Sequence, residues 1–289
     1  MRASPTTPPC SWPGGKTVFA EQIIDLLFGV GHSAAWDRMD CFSETTYFEP
    51  FCGMAAVALH VRDGGFPGRM VLTDLDPSVV NLWRVVKESP YEIADCLGRL
   101  AVDTSEPEFY RLRDLQNADV QDPIEHAARM IYLSKRAHGG LFRRNGSGKF
   151  NVLVGHGKGV QFSPPTEEYF IALSDMLHNT VIARANGFDT ISLATRGDYV
   201  FADPPYADSH SYGDPNRWGF DKTAEVVRSL ERAADRGAKC AMTEHDSPAI
   251  RGLLSSKWAI HPVEVSARIQ RKVAGVDRPV RREIIAVIG

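Results

Sequence analysis

The sequence predicts an α/β fold: a doubly wound, mostly parallel sheet, interrupted by an insertion of helices and a β-hairpin. Three observations predict it. Short apolar runs alternate with helical periods in the first ninety residues and again in the last hundred or so. Several of these runs stop at a glycine or an aspartate, as strands do where a parallel sheet opens into a crevice. Between the two regions the apolar runs disappear, and successive amphipathic helices take their place.

The elements follow in order. Thr46–Phe51 is an aromatic-rich strand that ends at Gly53, and Met54–Val61 has a helical pattern. Arg69–Thr73 is a second strand with Asp74 at its tip. Asp76 is an N-cap and Pro77 an N1 residue for a helix running to Lys87. Pro90–Leu100, Glu106–Asn117 and Pro123–Arg136 are amphipathic helices. "HGGLFRRNGSGKFNVLVGHGKG" then carries a hairpin signal at "NGSG". A helix near Thr166–Leu177 precedes strands at Thr180–Ala183, Asp198–Ala202, Lys239–Thr243, Ile260–Val265 and Glu283–Ile288, with a helix at Thr223–Arg236. The expected organisation is a core of residues 1–88 and 175–289, with residues 89–174 as the insertion.

The 289-residue chain has five scattered cysteines and no CxxC pair, so we expect neither a disulfide framework nor structural zinc. No run spans a bilayer and "MRASPTTPPCSW" has no signal-peptide core, which points to a cytoplasmic location, nucleoid-associated if DNA is the partner. The net charge of −3 hides an asymmetry. Arg129–Val160 carries +7 and Arg268–Arg282 carries +5, leaving −15 on the rest. Basic patches on an acidic body read as a polyanion site.

Four stretches carry chemistry. In "FADPPYADSH", prolines make the backbone from Asp203 to Pro205 extended and stiff, holding the Pro204 carbonyl near the Asp203 carboxylate. Tyr206 adds a flat face. Such a set suits a planar group with N–H donors, and a Pro-rich turn capped by Asp203 accounts for the residues equally well. "SWPGGK" combines an indole (Trp12), a Gly-Gly turn and an ammonium (Lys16). "YFEPFCGMAAVAL" turns a strand into a helix through a glycine, letting a nucleoside approach backbone. "VLTDLDP" puts Asp74 at a strand tip, where an acid commonly bonds ribose hydroxyls or simply begins a loop.

"WPGGK", "FEPFCG", "TDLDPSVVNLW" and "DPPY", in that order, resemble the Dam-type (D12-class, alpha-group) DNA adenine-N6 methyltransferases. "GGLFRRNGSGKFNV" is similar to that family's DNA-contacting hairpin, and "TEHD" resembles its "NHD" element. The resemblance covers nearly the whole chain. It implies a methyltransferase sheet that takes S-adenosylmethionine (SAM) as methyl donor, no metal, and double-stranded DNA as partner with the target base flipped out. Asp203, Pro204, Pro205 and Tyr206 match the catalytic motif. Trp12, Lys16, Phe51, Gly53, Asp74 and Asp203 match cofactor positions. His138, Arg143, Arg144, Asn145, Lys149 and Lys158 fall in or beside the DNA-facing hairpin, with Arg143 expected to read a base and Arg144 to meet phosphate or solvent. The chain departs from the family at Met54-Ala55, at Glu244 where Asn is common, at His138-Gly139, and at Leu153 in place of a frequent Pro. Two alternatives stand beside this reading: a cytosine-N4 or RNA amino-methyltransferase of the same fold, and a catalytically inactive DNA-binding relative.

Overall fold

A computed structural model describes residues 6–10, 14–29, 44–118, 122–140, 142–155, 162–207, 218–266 and 280–289. The helices are α1 (Ala20–Phe28), α2 (Ala56–Asp63), α3 (Pro77–Glu88), α4 (Pro90–Leu100), α5 (Glu106–Gln116), α6 (Pro123–Arg136), α7 (Glu167–Met176), α8 (Gly187–Ser192), α9 (Phe220–Asp235) and α10 (Pro248–Arg251). The strands are β1 (Thr46–Pro50), β2 (Arg69–Asp74), β3 (Thr180–Arg184), β4 (Tyr199–Ala202), β5 (Lys239–His245), β6 (Ala259–Ser266) and β7 (Val280–Ile288). They form one sheet in the order β3-β2-β1-β4-β5-β7-β6. β1 through β5 run parallel, and β7 enters antiparallel between β5 and β6. The order reverses between β1 and β4, and the crevice outside the carboxyl ends of these strands is where such sheets bind ligands.

Punctuation residues set the boundaries. Asp76 accepts from Ser78 N–H at the start of α3, Ser105 caps α5, Asp122 caps α6 and Thr166 caps α7. Proline stands in the first turn of α3, α4, α5 and α6, where its missing N–H costs nothing. The two sheet faces are separately covered. Phe201, Ala241 and Ile285 point into a core shared with α1 to α7. Val200, Met242 and Ile284 point into a second core under α8, α9 and α10. α4 to α7 do not stand apart from the sheet: Ile93, Leu97, Met130 and Phe170 are continuous with Trp83 of α3 and with Leu72 of β2. No helix among the described residues is long and apolar enough to cross a membrane.

The hairpin is less regular than its sequence suggests. Among the described residues its two arms form no continuous ladder, pairing at the isolated bridges Arg144↔Phe150 and Ala137↔Val154. On the outer edge of the second arm Asn117 acts as a surrogate strand, its amide donating to Phe150 O at 2.9 Å and accepting from Phe150 N at 2.7 Å.

Trp83 links the fold to the crevice. Its ring is fully buried, and its indole N–H donates to Gly53 O at 2.8 Å. Trp83→Phe keeps an aromatic ring but strands a buried carbonyl, so it should cost about 1–3 kcal/mol in a urea titration. An unchanged midpoint would show that the Gly53 carbonyl finds another donor.

Candidate active site

The carboxyl ends of β1, β2, β4 and β5 open onto a cavity of about 1050 Å³. Lys16, Phe51, Gly53, Asp74 and the run Asp203 to Tyr206 all line it, so the structure brings these predicted residues together. Trp12 lies outside the described residues.

Strand register builds the centre. β4 ends at Ala202, opposite Met242, and β5 continues to His245. Thr243 therefore stands beside Asp203, and its hydroxyl donates to Asp203 Oδ1 at 2.5 Å. Lys16 Nζ reaches the same oxygen at 2.9 Å while donating to Gly14 O at 2.6 Å. The lysine is 4% exposed and the Asp203 side chain 24%, so this ion pair is largely shielded on the lysine side and open to the cavity on the other. Asp203 Oδ2 has no partner among the described residues, and neither has the Pro204 carbonyl.

Glu244, the departure from the family's Asn, is fully buried and does a structural job. Its Oε2 accepts from Ala207 N at 3.2 Å and from Thr223 Oγ1 at 3.4 Å, tying the chain beyond Tyr206 to α9. Tyr206 donates its hydroxyl to Glu283 Oε2 at 2.7 Å. Burial, reinforced by the charges of Asp203 and Glu283, pushes its phenol pKa well up.

The glycine loop is tightly wound. Phe51, Gly53 and Ala55 have φ of 61°, 46° and 48°, a left-handed conformation that costs a non-glycine residue roughly 1–2 kcal/mol. The Met54-Ala55 departure thus accepts strain where glycine would have none. Gly53 N donates to Asp74 Oδ2 and Asp76 N to Asp74 Oδ1, both at 2.9 Å. Burial raises the Asp74 pKa, and these two backbone donors oppose the shift. The Phe51 ring lies flat on Gly187, where a Cβ would come within 2.3 Å of it. Phe51 also meets Trp218 edge-on at 5.4 Å. Gly187 and Trp218 escaped the sequence reading because neither is part of a motif and only the fold brings them to Phe51.

Residues 12–269 match the model of the D12 class N6 adenine-specific DNA methyltransferases. The chain belongs to that family. It is 26% identical over 284 residues to the DNA N-6-adenine-methyltransferase of Escherichia phage P1, covering 96% of this chain but only 35% of the phage protein. It is 27% identical over 269 residues to the DNA adenine methylase of Escherichia coli K12, covering 89% of this chain and 87% of that one. The Type II methyltransferase M1.LlaDCHI of Lactococcus lactis is 25% identical over 229 residues, 76% of this chain and 78% of that one. The chain spans about a third of the phage relative's length and most of the other two.

This family member keeps its hairpin residues apart from the cavity. His138, Arg143 and Lys149 are exposed, and their side chains have no partner among the described residues. Lys158 lies outside the described residues, as does most of Arg268–Arg282. Two placements differ from the sequence reading. Asn145 Oδ1 is committed to the turn, accepting from Ser147 N, Ser147 Oγ and Lys149 N. Arg144 is tied back to the start of α3: it donates to Asp76 Oδ1 at 3.1 Å and Ser78 Oγ at 2.7 Å. The sequence could not show this, because Asp76 and Ser78 are distant in the chain and Asp76 was assigned only to capping α3.

Glu49, at the cavity floor, is 3% exposed and accepts the Tyr47 hydroxyl at 2.6 Å. Burial pushes its pKa from 4.5 up to about 8, against the pull of that hydrogen bond, and Asp203 adds to the rise. The folded chain therefore holds this proton more tightly than the unfolded one. The resulting stability is full below pH 4.5 and is lost as pH climbs through about 8. Glu49→Gln mimics the protonated acid and lacks this titration. Urea midpoints measured across that range should fall more steeply for the wild type than for the variant; parallel curves would refute a raised Glu49 pKa.

Proposed function

We propose that this chain transfers a methyl group from SAM to the exocyclic N6 amine of adenine in double-stranded DNA. The observation that carries the proposal is the state of Asp203. One carboxylate oxygen is fixed by Lys16 and Thr243, while the other, like the Pro204 carbonyl, has no partner among the described residues, and both residues line the cavity. Two stiffly held acceptors suit the two N–H bonds of one amine.

The cavity fits the cofactor. Asp74, Asp203 and Asp246 outnumber Lys16 and Arg282 on its wall, an acidic balance that favours a cationic sulfonium. Asp74, at the tip of β2, retains lone pairs for ribose hydroxyls beside its two backbone donors. Phe51 and Trp218 offer aromatic walls. When bound, SAM supplies an electrophilic methyl group, so catalysis is left to positioning and electrostatics.

The adenine amine is a weak nucleophile because its lone pair is delocalised into the ring. Asp203 Oδ2 and the Pro204 carbonyl each accept one N–H, which favours a lone pair directed out of the base plane. Tyr206 stacks on the base. The amine is inside a duplex, so the base leaves the stack, at a cost of a few kcal/mol. Residues 89–174 serve as the target-recognition insertion, with the exposed Arg143 and Lys149 facing DNA.

Methylation-sensitive sequencing of DNA from cells expressing the chain tests this reading. N6-methyladenine should appear at one short sequence word. Asp203→Ala should abolish it while duplex binding persists, because duplex affinity comes mainly from phosphate contacts. Methylation by that variant would remove Asp203 from the mechanism.

Arg143→Ala should relax discrimination at one base pair by about 1–3 kcal/mol, since Arg reads guanine through two bonds. Lys149→Ala should slow all sequences alike and lower the salt slope. If Arg143→Ala lowers the rates on the cognate word and its single-base variants by one common factor, Arg143 is a phosphate contact.

A further inference from the structure

Glu283 has no role in the chemistry just described, yet it is built into the cavity. It comes from β7, the antiparallel strand inserted beside β5, where it sits opposite His245. It is 8% exposed. Its Oε2 accepts the Tyr206 hydroxyl at 2.7 Å and stands 3.9 Å from Lys16 Nζ. The Tyr206 ring is gripped on other sides as well: His245 meets it at 4.5 Å with planes 75° apart, and Lys16 Nζ lies 4.9 Å from its centroid.

A tyrosine carried on two prolines has a stiff backbone but two free side-chain torsions. A hydrogen bond at the far end of the ring removes that freedom, because the hydroxyl is the ring's one polar handle. Side-chain torsions set the plane on which a base stacks. The lysine that fixes Asp203 has Glu283 as its second carboxylate, so the same residue bears on both halves of the site.

From this geometry we infer that Glu283 is a positioning residue for methyl transfer: it sets the plane of the Tyr206 ring against which the target base stacks, and it helps hold Lys16 on Asp203. The inference rests on the reading of Asp203 to Tyr206 as the site that receives the base. Glu283 touches neither base nor cofactor in this scheme; it acts through Tyr206 and Lys16.

The test uses the full chain and a duplex oligonucleotide carrying the mapped word, with 2-aminopurine at the methylated adenine for fluorescence and adenine for kinetics. Glu283→Ala should lower kcat on the order of 10- to 100-fold, as a small misplacement of a reacting group does. It should leave KM for SAM within about two-fold, since uniform cofactor binding is untouched. It should also change the 2-aminopurine emission of the protein–DNA complex without turnover. Tyr206→Phe should reproduce the emission change, and the double variant should show no further change, because the two residues act as one unit. Glu283→Gln, whose amide oxygen still accepts the phenol, should keep the wild-type emission. If Glu283→Ala does not fold by circular dichroism, the contrast between Glu283→Gln and Tyr206→Phe decides alone. Wild-type kcat and emission in Glu283→Ala, additive effects in the double variant, or matching emission changes in Glu283→Gln and Tyr206→Phe would each overturn the inference. Asp203→Ala run in parallel separates the two levels: if it still methylates, the underlying reading fails, whatever Glu283 does.

Discussion

The site depends on holding one carboxylate at the edge of a sheet with half of it in use and half open. Asp203 meets this constraint through donors from two remote parts of the chain, Thr243 on β5 and Lys16 ahead of α1. Both engage Oδ1. A carboxylate with neither donor would rotate about its side-chain torsions and carry its charge beside Glu283 without compensation. The ammonium offsets that repulsion, and its near-complete burial strengthens the attraction relative to a surface pair. Strand lengths follow from the same constraint. β4 must stop at Ala202 to release Asp203, and β5 must run three residues further to bring Thr243, Glu244 and His245 alongside.

The other half of the cavity obeys a different logic, in which backbone supplies the groups. Left-handed residues at 51, 53 and 55 wind the chain from β1 into α2, with three anchors around the turn. Trp83 takes the Gly53 carbonyl, Asp74 takes the Gly53 amide, and Cys52 N donates to Thr73 O at 2.9 Å. Strain at Phe51 and Ala55 persists because these contacts over-determine the turn. The Phe51 ring then requires an absent side chain at Gly187, so a turn after β1 dictates the residue type after β3.

What the sequence revealed was what it encodes locally. Pro90–Leu100 and Pro123–Arg136 carry their start signals as proline at N1, and both helices have the bounds read from sequence. "DPPY", Gly53 and Asp74 announced strand tips through residues that cannot continue a strand or that favour its end. α1 lacks a side-chain cap and starts at Phe19-Ala20, so nothing marked it; α8 is six residues long, too short for a helical period. The antiparallel entry of β7 between β5 and β6 was equally invisible, because pairing order is a long-range property that neither final strand encodes locally. Glu283 was lost with it: in "RREIIAVIG" it reads as a charge at the start of a strand, and only the register with His245 turns it into the cavity.

The same distinction between local and long-range information explains Arg144. By alternation alone it belongs on the face opposite Arg143, the face that also carries Phe142 and, across the bridge, Phe150. In the folded chain that face meets the start of α3, and the guanidinium finds the N-cap Asp76 and the hydroxyl of Ser78. The pair is partly exposed, 31% and 24%, so its worth is about 0–1 kcal/mol. It orients the hairpin more than it stabilises it. Stability there comes from the buried Phe142–Phe150 stack, with centroids 4.7 Å apart, and from the Asn117 amide on the Phe150 backbone. Orientation matters because Asp76 also donates its N–H to Asp74 Oδ1. One continuous set of bonds thus runs from the exposed basic hairpin through the cap of α3 to the acid at the tip of β2. The arm that carries Arg143 and the loop that lines the cavity are therefore held in a single frame of reference.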